Sequence, residues 1–92
     1  MTEGQSNGEG GLEENLRNET VRWQGRAEAL FSQLSGDERF LENISAYLSD
    51  SHYFMKQKDL IRAFEAVIWA WAWMEIGLDI GVLQQISFGS MD

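Results

Sequence analysis

DLIRAFEAVIWAWAWMEIGLDIGV, residues 59–82, is the stretch whose reading decides the fold. It holds three of the four tryptophans, and Ala66 to Met74 is an unbroken run of nine apolar residues. Leu60, Phe64, Val67, Trp71, Met74 and Leu78 recur at the three-and-four spacing of a helical stripe. Trp69, Trp73, Ile76 and Ile80 draw a second stripe. Between the two run Ala63, Ala66, Ala70 and Gly77, small enough for a neighbouring backbone to approach closely. Asp59 is the natural N-cap, since a carboxylate there accepts free backbone N–H groups. Gly81 followed by Val82 is the stop, a glycine able to adopt the left-handed conformation with an apolar residue after it. A helix with two apolar faces needs cover from other helices.

The residues before it supply that cover. Leu41, Ile44, Leu48, Ser51 and Met55 alternate at spacings of three and four, and beside them Phe40, Tyr47 and Phe54 repeat every seven residues. So wide an apolar face suits a helix that touches two neighbours. Gln57-Lys58-Asp59 leaves room only for a tight turn, which makes an antiparallel helical hairpin with the stretch that follows. Further back, Leu16, Thr20, Trp23, Ala27, Leu30 and Leu34 stripe a first helix, with Phe31 widening the stripe and Gly25 lying off it. Between the first and second helices stands Ser35-Gly36-Asp37-Glu38, where Ser35 with Glu38 has capping-box spacing and Asp37 is a competing N-cap. Residues 1–11 carry four glycines and no large apolar residue after Met1, the composition of a disordered tail.

Ninety-two residues allow one domain with a small core. With no proline the chain favours long helices over a turn-rich all-β architecture, and with no cysteine it has neither a disulfide framework nor a thiolate site. The formal net charge of -8 argues against nucleic acid and anionic membrane surfaces, both of which require a basic footprint. The N-terminus is polar and acidic, unlike a signal peptide, and the nine-residue apolar run is far short of the roughly 20 residues of a spanning helix. These features fit a soluble, cytoplasmic protein.

Ala46-Tyr47-Leu48-x-Asp50-x-x-x-Phe54, then Asp59, Ala63-Phe64 and Trp73-Met74-Glu75-x-Gly77-x-x-x-Gly81 resemble a small archaeal family, domain-of-unknown-function family 357. The resemblance covers about residues 15–83 and is strongest in the hairpin. It implies a compact all-α protein of archaeal type with no assigned activity. Two departures stand out against the family pattern. Lys58 stands where the family usually has glycine before the turn aspartate, and Trp69 and Trp71 stand where it tends to tyrosine and small residues. The hairpin is also similar to one tetratricopeptide unit, but no second copy follows at the 34-residue period.

Residues for catalysis are few. His52 is the sole histidine, and its place beside the Ser51 seam reads as structural rather than proton-transferring. A di-metal bundle requires Glu-x-x-His motifs on facing helices, and the chain has none, so neither metal nor cofactor is expected. Asp59, Glu75, Tyr47 and Asp50 read as structural polar residues. Trp69, Trp71 and Trp73 stand two apart, so a helix cannot bury all three on one face. With Ile76 and Ile80 they form the candidate interface or pocket, since large uncovered aromatics in a small protein mark association surfaces.

The expected architecture is an all-α three-helix bundle built on an antiparallel helical hairpin, with helices at about 12–34, 36–57 and 60–80, and a frayed end at 89–92. The expected function is non-catalytic: a protein–protein interaction or scaffold module, self-associating into a homodimer through its third helix. The alternative is a small-molecule binder with a tryptophan-lined pocket between helices.

Overall fold

The computed structural model describes the backbone of residues 2–86 and the side chains of residues 11–86. Apart from Gly11, the tail expected over 1–11 lies outside the described side chains, as does the frayed end expected at 89–92. The chain forms α1 (Thr2–Phe31), β1 (Leu34–Gly36), α2 (Glu38–Lys56), α3 (Leu60–Ile80) and β2 (Leu83–Gln85). The α2–α3 hairpin is the most extensive packing in the molecule, and α1 lies against it, mainly on α3. The three-helix bundle is therefore the architecture.

The hairpin turn follows from its hydrogen bonds. Lys58 N–H donates to the Met55 carbonyl and Asp59 N–H to the Phe54 carbonyl, the paired bonds of a Schellman motif. That motif puts its penultimate residue in the left-handed region, and Lys58 has φ 64°. The Asp59 carboxylate then caps α3 by accepting from Arg62 N–H at 3.2 Å. At the other end of α3 a second Schellman motif forms, with Gly81 N–H donating to Leu78 and Val82 N–H to Gly77. Here the left-handed residue is the glycine expected, Gly81 at φ 83°.

The connection between α1 and α2 differs from the expectation. The first helix ends at Phe31 rather than near Leu34, and Leu34 to Gly36 pair antiparallel with Leu83 to Gln85. Ser35 is thereby held opposite Gln84 in a strand, so the Ser35–Glu38 capping box does not form. Asp37 caps α2 instead, its carboxylate accepting from Phe40 N–H at 3.0 Å. Gly36 sits at φ 135°, and a Cβ there would stand 2.3 Å from the Val82 carbonyl oxygen. Only glycine fits that approach. The chain after α3 folds back onto the bundle as a strand.

The core gathers Ala27 from α1, Ile44 and Leu48 from α2, Val67, Ala70 and Met74 from α3, and Leu83 from β2. The small residues of α3 belong to this buried face. Ala63, Ala66, Ala70 and Gly77 are all covered, which lets α1 and α2 come close on either side of α3. A polar relay runs through the same interior. Gln24 Nε2 on α1 donates to Ser51 Oγ on α2 at 2.9 Å, and that hydroxyl donates to the Ala63 carbonyl of α3 at 2.7 Å. Gln24 and Ser51 are both buried. Thr20, also buried, returns its hydroxyl to the Leu16 carbonyl. One serine thus ties all three helices together. Among the described residues, no helix is long and apolar enough to cross a membrane.

Candidate interaction face

The helical repeat deals the three tryptophans of α3 to three different neighbours. Trp71 turns toward α1, where its ring meets Trp23 edge-on at 5.3 Å between centroids. Its indole N–H donates to the Glu75 carboxylate one turn later, at 2.9 Å. Trp73 turns toward the start of α2 and meets Phe40 edge-on at 5.0 Å. Trp69 lies nearly parallel to Tyr47, centroids 6.2 Å apart, and remains 55% exposed. Aromatic pairs in such geometries contribute about 0.5–1.5 kcal/mol each beyond burial. Trp71 and Trp73 are half-buried and hold the bundle together; Trp69 faces out.

Ile76 and Ile80 continue the outward line from Trp69. Of the five residues expected at an interface, the structure thus leaves these three exposed and commits Trp71 and Trp73 mostly to internal packing. It also adds one that the stripe reading missed. Ile61, in the first turn of α3, is 66% exposed on the same outward side, and the half-buried Ala72 lies between Ile68 and Ile76 on it. Ile61 escaped notice because a stripe drawn from Trp69 forward never reaches back across the arginine and glutamate of the first two turns. The charged residues beside the face are Arg62, Glu65 and Asp79. Arg62 lies over the Phe54 ring at 5.8 Å and 3.7 Å from the Asp59 carboxylate.

The structural polar residues take distinct posts. Asp59 is the α3 cap, and Tyr47 is the platform beneath Trp69. Glu75 bonds Trp71, and Asp50 is exposed beside Tyr47, Phe54, Arg62 and Trp69 around a recess of about 200 Å³. His52 projects from α2 to the surface, where its Nε2 meets the Glu28 carboxylate of α1. It sits away from Asp50 and Glu75, and the three do not converge. Among the described residues no cluster of three or more carboxylates or histidines could hold a metal ion.

The larger recess beside a tryptophan has a volume of about 570 Å³ and lies between the N-terminal half of α2 and Trp73. Phe40, Asn43, Ala46, Arg39 and Glu42 line it, and it is an open groove rather than an enclosed cavity. Small-molecule sites bury most of their ligand. This groove could cover one side of a flat molecule only.

Among solved structures the chain is similar to protein AF1782 from Archaeoglobus fulgidus, with 55% sequence identity and a TM-score of 0.78. That match covers 80% of this chain and 97% of the other. No curated protein matches. The family model described as a protein of unknown function, DUF357, matches residues 11–83, which takes in the candidate face and the helices that carry it. The chain belongs to the DUF357 family.

Proposed function

We propose that this protein is a non-catalytic, cytoplasmic interaction module that self-associates into a homodimer through the outward face of α3. The observation that supports this most is the exposure of Trp69, Ile76 and Ile80 in one line on the most apolar helix. Val67, Ile68, Trp71, Trp73, Met74 and Leu78 of the same helix are instead packed in or against the core. A contiguous apolar line of that kind is a surface awaiting a partner. The acidic balance of the chain disfavours nucleic acid and anionic membrane as that partner. A non-catalytic role is favoured because His52, the sole histidine, is engaged with Glu28 on the open surface.

Sedimentation velocity of the full chain, from roughly micromolar to near-millimolar concentration, tests the reading. Self-association that Trp69→Glu abolishes, while the far-UV circular dichroism stays native, is the expected result. A single monomeric species throughout would overturn it. The second reading, a small-molecule binder, draws on the groove beside Trp73. Saturable quenching of tryptophan fluorescence by an aromatic ligand, lost in Trp73→Leu, would favour it over self-association.

A further inference from the structure

We infer that the second copy docks antiparallel, α3 against α3, with the two-fold axis crossing the helix midway between Ala70 and Trp71. This rests on the self-association reading above and adds its geometry. The outward face of α3 is complementary to its own reverse. In that register Trp69 falls against the partner's Ala72, a large side chain over a small one. Ile61 falls against the partner's Ile80, and Arg62 against the partner's Asp79. All six of these residues lie wholly or partly open on α3.

Charge decides the direction. A parallel arrangement would set Glu65 on Glu65, Asp79 on Asp79 and Trp69 on Trp69, and like charges placed opposite one another are destabilising. Reversal replaces these with one opposite-charge pair at each end, because the arginine stands near the start of α3 and Asp79 near its end. Glu65 then lies opposite Ile76, where its flexible stem covers apolar surface while the carboxylate stays in water. The net charge of -8 on each copy is screened beyond about 8 Å at physiological salt, so the local pairs count for more than the total.

A helix about 30 Å long and about 10 Å wide offers on the order of 300 Å² a side. That is well below the roughly 800 Å² of a standard interface. The dimer is therefore weak, with a dissociation constant in the micromolar range or above, and it is to be sought at high concentration.

The absence of cysteine makes the register directly testable. Ile61→Cys and Ile80→Cys are prepared singly, both at exposed positions, and mixed at high concentration with a short bis-maleimide. The expected product is a cross-linked heterodimer from the mixture, with far less cross-linking in either variant alone. Cross-linking of Ile61→Cys to itself, at equal or greater yield, would overturn the antiparallel direction. Sedimentation under the same conditions separates the two claims. Dimer without the mixed cross-link overturns the register alone, and monomer overturns self-association with it. As an independent check, Arg62→Asp and Asp79→Arg should each weaken the dimer at least threefold, and together restore it to within about twofold. A double variant no tighter than the weaker single would count against the pairing.

Discussion

Leu83 occupies the space that a side chain at Gly77 would need. A Cβ on Gly77 would stand 2.4 Å from Leu83 Cδ1, 2.7 Å from its Cγ and 3.2 Å from a ring carbon of Phe40. Leu83 is only 2% exposed and has its backbone pinned in β2, so it cannot step aside cheaply. Glycine inside a helix ordinarily loses to alanine by about 0.5–1 kcal/mol. Here the overlap outweighs propensity. Gly77→Ala should lower stability by about 1–3 kcal/mol in urea unfolding. Gly25→Ala, with nothing within 4 Å of its Cβ, should raise it by about 0.5–1 kcal/mol. A rise in stability for Gly77→Ala as well would show that β2 does not press on α3.

The turn between α2 and α3 contains a residue of the wrong type for its conformation. Lys58 holds φ 64°, where a Cβ crowds the backbone. Its side chain is exposed, so replacement removes no core contact. Lys58→Gly should stabilise the protein by up to about 1 kcal/mol, the left-handed penalty less the entropy that glycine adds to the unfolded chain. Lys58→Ala should do nothing comparable. A Lys58→Gly variant that melts below the parent would contradict this account of the turn.

Ser51 is both acceptor for Gln24 and donor to Ala63. The hydroxyl joins two buried groups: Ser51→Ala strands the Gln24 amide, at a cost of about 1–3 kcal/mol, while the Ala63 carbonyl keeps its own helical donor. Gln24→Met removes one of those groups, so the double variant should lose less than the sum of the singles. Additive losses in chemical denaturation would mean that the relay does not act as a unit.

Glu75 looks conspicuous in so apolar a helix, yet it is exposed and bonded to its own neighbour Trp71. Glu75→Ala should therefore change stability by no more than about 0.5 kcal/mol. In a nitrogen-proton correlation spectrum it should move the Trp71 indole N–H signal far more than those of Trp69 and Trp73. If all the indole signals stay in place, the bond is not formed in solution.

Local chemistry explains why much of this protein could be read before its structure. The three helices, the Asp59 cap, the Gly81 stop and the tight hairpin are each set by residues within one or two turns of one another, where spacing alone determines which backbone groups can be satisfied. The Lys58 conformation was legible in the same way, though only through the resemblance, which marks that position as one usually held by glycine. The polar relay was not. Gln24 stands beside its stripe like any surface glutamine, and only the angle at which α1 crosses the hairpin brings it to Ser51.

By itself, then, the sequence determined the helices, their ends and the surplus of indole on α3, because those depend on periodicity and near neighbours. Which tryptophan remains free was decided by the tertiary structure alone. Trp69, Trp71 and Trp73 carry the same side chain at equal intervals. Their fates differ because Trp23 of α1 covers the second, Phe40 of α2 packs on the third, and Tyr47 covers only one flank of the first. The two-stranded sheet belongs to the same class. Leu34 to Gly36 and Leu83 to Gln85 are too short to announce themselves as strands, and they pair because the bundle brings the α1–α2 connection and the segment after α3 to one place.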